Sequence, residues 1–449
     1  VADPGISLQF DEAFGLLNAE QESWLEKVYV PPPDFSALAA PRSTLVLGEK
    51  GGGKSALLRA LRRELVKQQA LVVEWTWDPL AWVGKEGLAA LDAALEQLMQ
   101  QIARRFFLEV VSRPGGWESL TPTSRDLVHW FLFRYLVPYR HLLPIEPEED
   151  VDKFEDFLAR LSQEPPVSLP ESLGPVSVLG YLIPLFQQAG YSALVVLVED
   201  VSPWGAIDPE TVLGALKRFL STLAIFDLPF LFFKMVLDET LEELVRGSGA
   251  VVRRRAQLSR LTWSPETLEQ ILVWRLQRVA DEATDLEVFY ERRSLLSWLH
   301  RAGGESPRDW LMLFASVLRR AFQIQGQEGQ LRPLNDDEWE DIRRQYPVHL
   351  DYDPKAGTVK VNWRVVRLSP AEEILFSYLF EQRGEVCSLR DLYRAYERQT
   401  NPDTQLDELK AEYRGRIDTL VYRLRQAIEP DPWHPLLLVT HKGRGYCLR

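Results

Sequence analysis

Apolar residues fall along the chain in two patterns. Short continuous runs predict buried strands: Ser43–Leu47 (STLVL), Ala70–Trp75 (ALVVEW), Ala193–Asp200 (ALVVLVED) and Leu228–Leu237 (LPFLFFKMVL). A fifth is expected within 253–263 (RRRAQLSRLTW). Between the runs apolar residues recur at helical spacing, as with Leu57, Leu58, Leu61 and Leu65. Strands alternating with helices predict a parallel sheet covered on both faces, the α/β class. Residues 8–27 read as an amphipathic helix that Pro31, Pro32 and Pro33 forbid to continue. Residues 85–190 are mostly helical in pattern, broken by proline clusters, and are expected to form a long insertion, a helical lid or a partner surface. Residues 265–322 read as entirely helical, and 323–334 (QIQGQEGQLRPL) as a linker.

Beyond the linker the pattern changes again. Val348 to Val366 alternates apolar and polar, which predicts short antiparallel strands. Ser369-Pro370-Ala371-Glu372 is a helix start, with an N-cap serine, a proline at the first position and an acid at the third. Helices are expected to Gln382, over 388–397 and over Arg414–Ile428, the last burying Ile417, Leu420, Val421, Leu424 and Ile428. Its other face carries Arg416, Tyr422, Arg423 and Arg425. Leu436–Leu448 reads as a hairpin with Lys442-Gly443-Arg444-Gly445 at its tip. Three helices with a basic third and a basic hairpin describe a winged helix–turn–helix. The expected organisation is therefore an N-terminal helical segment (1–41), an α/β core (42–264) with its insertion, a helical lid (265–322), a linker (323–346) and a winged helix (347–449).

The candidate chemistry sits between the first strand and its helix. Gly48 to Ser55 reads G-E-K-G-G-G-K-S and fits G-x-x-x-x-G-K-[ST], the phosphate-binding loop of nucleoside triphosphatases. Gly48, Gly51, Gly52 and Gly53 let backbone N–H groups wrap a phosphate without Cβ obstruction, and the helix start at Ser55 and Ala56 adds partial positive charge. Lys54 is assigned to the β/γ-phosphates and the Ser55 hydroxyl to Mg²⁺. An acid on a neighbouring strand must complete the metal's shell and polarise water. Glu199 is assigned to the Mg²⁺ shell and Asp200 to water activation, an order that is open to reversal because glutamate comes first. Gly303-Gly304-Glu305-Ser306-Pro307-Arg308 mounts Arg308 rigidly at a helix start, where it can report on the γ-phosphate. Arg253-Arg254-Arg255 reads either as a solvated strand edge or as a finger for a neighbouring subunit. Lys234, inside an apolar strand, must find a partner, for which a site acid or a phosphate is one option.

Charge refines the picture. The 449 residues carry a net charge of −13, which argues against a protein coated in nucleic acid. From Arg414 to Arg449, however, seven basic residues against three acidic ones leave +4, a local anion-binding face. Two cysteines are too few for a disulfide framework and match no zinc spacing with the histidines. No apolar run is long enough for a membrane span, and the opening VADPGISLQFDE has neither an initiator Met nor a signal-peptide pattern. A trimmed, cytoplasmic chain is expected.

The phosphate loop, the acid-tipped strand and the Gly-Gly-x-x-Pro-Arg turn resemble the AAA+-related, STAND-type signalling ATPases of bacteria. The A-E-x-x-S-W-L…Y-V-P-P opening and the L-T-W-S-P-E-T-L…R-L stretch at 261–276 resemble one branch of that group. Over 348–449, L-S-P-A-E at 368–372, R-G-E-V-C-S-L-R-D-L at 383–392, I-D-T-L-V-Y-R-L-R-Q-A-I-E at 417–429 and V-T-H-K-G-R-G-Y at 439–446 resemble the OmpR/PhoB-type output domain of response regulators. The first resemblance implies an ATP- and Mg²⁺-dependent switch, with ATP between sheet and helical subdomain, that forms homo-oligomers when ATP is bound. The second implies double-stranded DNA as partner, with the third helix in the major groove. Tyr422, Arg423 and Arg425 would then face DNA, with Thr440 and Lys442 on phosphate or groove and Arg416 and Arg444 in the same basic face. Tyr422 departs from the family's usual basic residue. The expected function is an ATPase switch controlling a DNA-binding output. Its rivals are an oligomerising stress or antiviral sensor whose winged helix binds protein, an ATPase that loads on DNA without site preference, and a pocket that binds nucleotide without hydrolysis.

Overall fold

The β-branched and leucine-rich runs pair as parallel strands, because each is buried on both faces and has a helix to carry the chain back. The computed structural model describes residues 14, 25–76, 88–111, 120–136, 159, 173–199, 209–279, 285–328, 332–345, 348–354, 357–361, 364–400 and 413–449. In it β1 (Ser43–Gly48), β2 (Ala70–Thr76), β3 (Ala193–Glu199), β4 (Leu231–Asp238) and β5 (Ala256–Arg260) form one five-stranded sheet in the order β2-β3-β4-β1-β5. Every pairing in it is parallel. Placing β1 between β4 and β5 sends the chain in opposite directions on its two sides, and such reversals open a crevice beyond the carboxyl ends of the strands.

Alternation along the strands assigns the two faces. Leu47, Val73, Trp75, Val196, Phe233 and Met235 share one cluster with α2 (Leu88–Phe106), α3 (Pro122–Tyr135), α4 (Pro175–Gln188) and α5 (Pro209–Ser221). The opposite face takes α1 (Lys54–Lys67), whose Leu57, Leu58, Leu61 and Leu65 are buried. Within the described residues of the expected insertion, α2, α3 and α4 spend their apolar stripes on the sheet, with Leu98, Phe131 and Leu182 fully buried. An apolar stripe announces burial and not what it is buried against. Of the helix expected over 8–27, only residue 14 and a turn at Leu25–Val28 lie within the described residues.

Two compact units result. Pro31–Glu49 and Lys54–Thr262 make the sheet unit, while Val1–Val30, Lys50–Gly53 and Trp263–Arg449 make the other. The second contains α6 (Pro265–Val279), α7 (Arg292–Gly303), α8 (Pro307–Glu328) and α9 (Asp336–Gln345). Gly304, at φ +54°, reverses the chain between α7 and α8, and a Cβ at Gly303 would come within 2.7 Å of the Trp310 ring. Tyr290 and Trp339 stack at 4.4 Å, which anchors α9.

The same unit holds a winged helix. β6 (Leu350–Asp353), β7 (Thr358–Val361) and β8 (Arg364–Val366) form an antiparallel sheet, followed by α10 (Pro370–Glu381), α11 (Leu389–Thr400), α12 (Tyr413–Ile428) and the hairpin β9 (Leu438–His441) and β10 (Gly445–Leu448). The Ser369/Glu372 capping box starts α10 as its sequence predicts. Leu375, Phe376, Leu392, Leu424 and Ile428 fill the core beneath the hairpin. Gly445 is required where it stands: φ is +139° and a Cβ would lie 2.0 Å from the Cys387 carbonyl oxygen. That close approach lets Cys387 and Tyr446 exchange both backbone hydrogen bonds, at 2.8 and 3.0 Å. No helix among the described residues is long and apolar enough to cross a membrane.

Candidate nucleotide site and winged-helix interface

The phosphate loop leaves β1 at Gly48 and enters α1 at Lys54. Gly51 and Gly53 adopt φ of +86° and +85°, the left-handed conformation that a chain needs to fold its N–H groups toward one point. The sequence motif therefore has the backbone it requires. Lys54 Nζ donates to the carbonyls of Gly48 at 3.0 Å and Glu49 at 3.2 Å, and lies 3.5 Å from Asp238 Oδ2. Ser55 occupies the first turn of α1, whose leading backbone N–H groups have no partner within the helix.

Asp238 escaped the sequence reading. It closes β4, and the parallel register sets it directly against Gly48 of β1. Glu199 closes β3, one strand further out, at the same edge of the sheet. Two carboxylates, a lysine and a hydroxyl thus share the carboxyl edge, the donor types that a phosphate-bound Mg²⁺ uses. Among the described residues no group of three or more His, Cys, Asp or Glu side chains is placed to hold a metal ion. Asp200 lies outside the described residues. Nearby, burial first and the Glu49 carboxylate next push the Glu239 carboxyl above the usual range, while Arg260 pulls it back.

The tip of the loop, Lys50–Gly53, belongs to the second unit and is held there by its carbonyls. Trp263 Nε1 donates to Gly52 O at 2.8 Å, and the Arg308 backbone N–H to Gly51 O at 3.4 Å. A Cβ on Gly53 would stand 3.3 Å from the Trp263 ring, so the indole packs on the loop as well as bonding to it. Arg308 meets the loop here through its backbone N–H. Trp263 was part of a quoted motif, but nothing in its spacing marked a bond across 211 residues.

Two further expectations change. Lys234 faces away from the site: its ammonium donates to Ala40 O at 2.8 Å and Thr44 Oγ1 at 3.3 Å, near the start of β1 and not its end. Its partners are a carbonyl and a hydroxyl, and neither a site acid nor the loop. In the arginine run, Arg255 pairs with Asp227 at 2.6 Å and all three residues are exposed.

The basic face of α12 divides into two sets. Arg425 Nε and Nη2 donate to Leu438 O at 3.0 and 2.7 Å, and Nη2 also to Thr440 Oγ1 at 2.7 Å, so this arginine pins the hairpin to the helix. Arg416 donates to the Tyr396 hydroxyl at 3.0 Å and lies over its ring, beside the buried Glu397. Tyr422 and Arg423 are exposed on α12, as are Lys442 and Arg444 at the hairpin tip. Among the described residues, no hydrogen bond or ion pair engages the side chains of Arg423, Lys442 and Arg444. Glu429, buried just after α12, accepts from the N–H groups of Leu436, Leu437 and Leu438, at 2.8, 3.0 and 2.5 Å. Burial raises its carboxyl pKa, against the pull of those three amides.

Residues 364–448 match the family described as "Transcriptional regulatory protein, C terminal". The chain is 26% identical over 185 residues to a Cyanidium caldarium protein described as "Probable transcriptional regulator ycf27", which takes in 40% of this chain and 64% of that one. It is 31% identical over 99 residues to protein PetR of Rhodobacter capsulatus, 22% of this chain and 40% of that one. The chain thus spans less than two thirds of either relative's length. Among solved structures it is similar to the Aeropyrum pernix ORC2 protein, with a TM-score of 0.38 and 12% identity over 95% of this chain and 93% of the other. It is also similar to Cdc6p of Pyrobaculum aerophilum, with a TM-score of 0.35 and 11% identity over 96% and 92%. An α/β core of the phosphate-loop nucleoside-triphosphatase type and a winged helix of the transcriptional-regulator type are joined in one chain.

Proposed function

We propose that this protein is an ATP-binding, ATP-hydrolysing switch that controls a winged-helix DNA-binding output and so regulates transcription. The observation that carries the reading is the phosphate loop held by its own carbonyls, Gly52 to Trp263 and Gly51 to Arg308, in the unit that also contains the winged helix. A nucleotide drawing the loop amides toward its phosphates turns the same peptide planes, and the strain falls on Trp263 and Arg308. Lys54 and the α1 amides bind the phosphates, and Ser55 and Glu199 would hold Mg²⁺ through oxygen, which would supply charge neutralisation at the transferring phosphoryl group. Asp200 orients the attacking water, and Asp238 holds Lys54. The exposed Tyr422, Arg423, Lys442 and Arg444 meet double-stranded DNA, while Arg416, Arg425 and Thr440 hold the helix and hairpin that present them. We assign the protein to the cytoplasm and expect homo-oligomers with ATP.

The test is binding of a fluorescent ATP analogue by the wild type and by Lys54→Ala, together with DNA retardation in ADP and in a non-hydrolysable ATP analogue. Equal nucleotide binding by the two proteins ends the ATP reading, and nucleotide-independent retardation ends the switch. A second reading draws on Tyr422, 56% exposed, and Trp433, 69% exposed. Large aromatic side chains in solvent suit a protein partner. ATP-dependent assembly without any DNA affinity would favour that reading.

A further inference from the structure

Where α7 meets α9, away from the phosphate loop in sequence and chemistry, a cavity of about 330 Å³ opens to solvent. Arg293, Ser297 and Arg301 follow one another at four-residue spacing along one face of α7, and Arg343 enters from α9. Tyr290, Ser294, Trp298 and Trp339 complete the wall, and among the described residues no carboxylate lines it. In a chain with 65 acidic and 52 basic residues, three guanidinium groups around an acid-free cavity are not the default arrangement.

The charges are only partly met. Asp431, buried just beyond α12, accepts from Arg343 Nη2 at 2.7 Å and faces Arg301 Nε at 3.4 Å. Glu340 lies 3.4 Å from Arg343 Nη1. Arg343 Nε is buried with no hydrogen-bond partner among the described residues, a donor whose desolvation costs about 1–3 kcal/mol until something accepts from it. Arg301 Nη1 donates to Ser297 Oγ at 2.7 Å. Among the described residues Arg293 forms no hydrogen bond or ion pair. Guanidinium forks with a hydroxyl between them suit the tetrahedral oxygens of a phosphate. The volume falls at the small end of ligand pockets, which run from about 300 Å³ upward.

We propose that this cavity is a second anion site, which takes a small phosphate-bearing molecule through Arg293, Ser297, Arg301 and Arg343. Arg301 and Arg343 also hold Asp431 of the winged helix, together with the Trp433 N–H and the His434 ring, so the bound phosphate competes with Asp431 for the two guanidinium groups. Occupancy loosens the winged helix from α7 and α9. This consequence rests on the regulatory reading above, whereas the binding itself does not.

The experiment is calorimetric titration of the full chain with inorganic phosphate and, separately, with AMP. The proteins are the wild type, Arg293→Ala, Arg293→Lys and Lys54→Ala. Arg293 is exposed and unbonded among the described residues, so its loss leaves the fold intact, which an unchanged melting temperature checks. At least one probe is expected to bind the wild type and Lys54→Ala alike, to lose about tenfold in affinity in Arg293→Ala, the worth of one charge-assisted contact, and to recover in part in Arg293→Lys. No binding of either probe, binding unaffected by Arg293→Ala, or binding lost in Lys54→Ala overturns the proposal, the last because the ligand then sits on the phosphate loop. DNA retardation with and without the bound probe tests the competition with Asp431 separately.

Discussion

Lys234 offers the most quantitative test of the fold. Its side chain is 1% exposed in the middle of the parallel sheet, and it forms no ion pair among the described residues. Burial, with the Arg42 charge adding to it, lowers its pKa from an ordinary lysine's 10.5 to about 7. Below pH 7 the native and unfolded chains both hold the proton, and the full cost of a buried ammonium is present. Between pH 7 and 10.5 the native lysine gives up its proton while the unfolded chain keeps it, so the native state gains stability as pH rises. A shift of about 3.5 units at about 1.4 kcal/mol each is worth roughly 5 kcal/mol in all, with a slope of at most about 1.4 kcal/mol per pH unit. Lys234→Met removes the titration and leaves the rest of the chain's ionisation in place. Urea unfolding of both proteins at steps from pH 6 to about 9.5 isolates it, because the groups common to the two cancel in the difference. The difference in stability should stay constant below pH 7 and then move toward the wild type by about 3 kcal/mol by pH 9.5, on the same linkage. A difference that stays flat across the whole range refutes a buried, carboxylate-free ammonium at this position.

Other perturbations separate the roles assigned to single residues. Trp263→Phe keeps the ring against Gly53 and deletes only the bond to Gly52 O that nucleotide binding strains, so fluorescent-ATP affinity should rise, by at most about fivefold, the worth of one net hydrogen bond; an unchanged affinity removes the indole from the nucleotide response. Arg423→Ala should leave the melting temperature unchanged and reduce the slope of log K against log salt in DNA retardation by about 1. Arg425→Ala should cost about 2–3 kcal/mol of winged-helix stability, since Leu438 O and Thr440 Oγ1 both lose a charged donor, and chemical unfolding would read it directly. Glu429→Ala strands three backbone amides beneath the hairpin and should cost at least about 3 kcal/mol by the same measurement.

Much of this was legible because it is local. β1, the glycine loop and α1 are contiguous, and the periodicity, the glycines and the Lys54-Ser55 pair lie within one short stretch. The capping box at Ser369 and the apolar spacing of α12 are likewise complete within their own segments. What escaped depends on register and on distant backbone. Asp238 meets Gly48 because β4 inserts between β3 and β1, a neighbour relation that a list of strands does not contain. Trp263 and Arg425 act through main-chain carbonyls, which every residue has and no sequence pattern marks. Arg425 in particular reads from its helix position like Arg423, two residues earlier. Only the return of the hairpin, 13 residues on, decides that one is structural and the other faces solvent. The same blindness offered a site acid or a phosphate as one option for the partner of Lys234, whose partners are the carbonyl of Ala40 and the hydroxyl of Thr44.

The two tethers of the second unit suggest how its ends are connected. At one end Gly51 and Gly52 hang on Arg308 and Trp263, the residues at the starts of α8 and α6. At the other, Asp431 hangs on Arg301 of α7 and Arg343 of α9. Between them Phe289 packs edge-on against Phe314 of α8, and Trp298 of α7 against Trp339 of α9, at 5.8 and 5.0 Å. Close-packed aromatic contacts pass a displacement on instead of absorbing it, since interiors of this density have few voids to collapse into. A shift at α8 must therefore be met by α7 or α9, and the Asp431 pairs, which are polar and few, are the contacts able to exchange partners at least cost. Proximity alone does not establish coupling, which is an energy between two sites. Trp263→Phe and Asp431→Asn, made singly and together, measure it: if the tethers communicate, the ATP-dependent change in DNA affinity in the double variant departs from the sum of the single effects by more than about 0.5 kcal/mol, and strict additivity means the nucleotide speaks to the winged helix by another route.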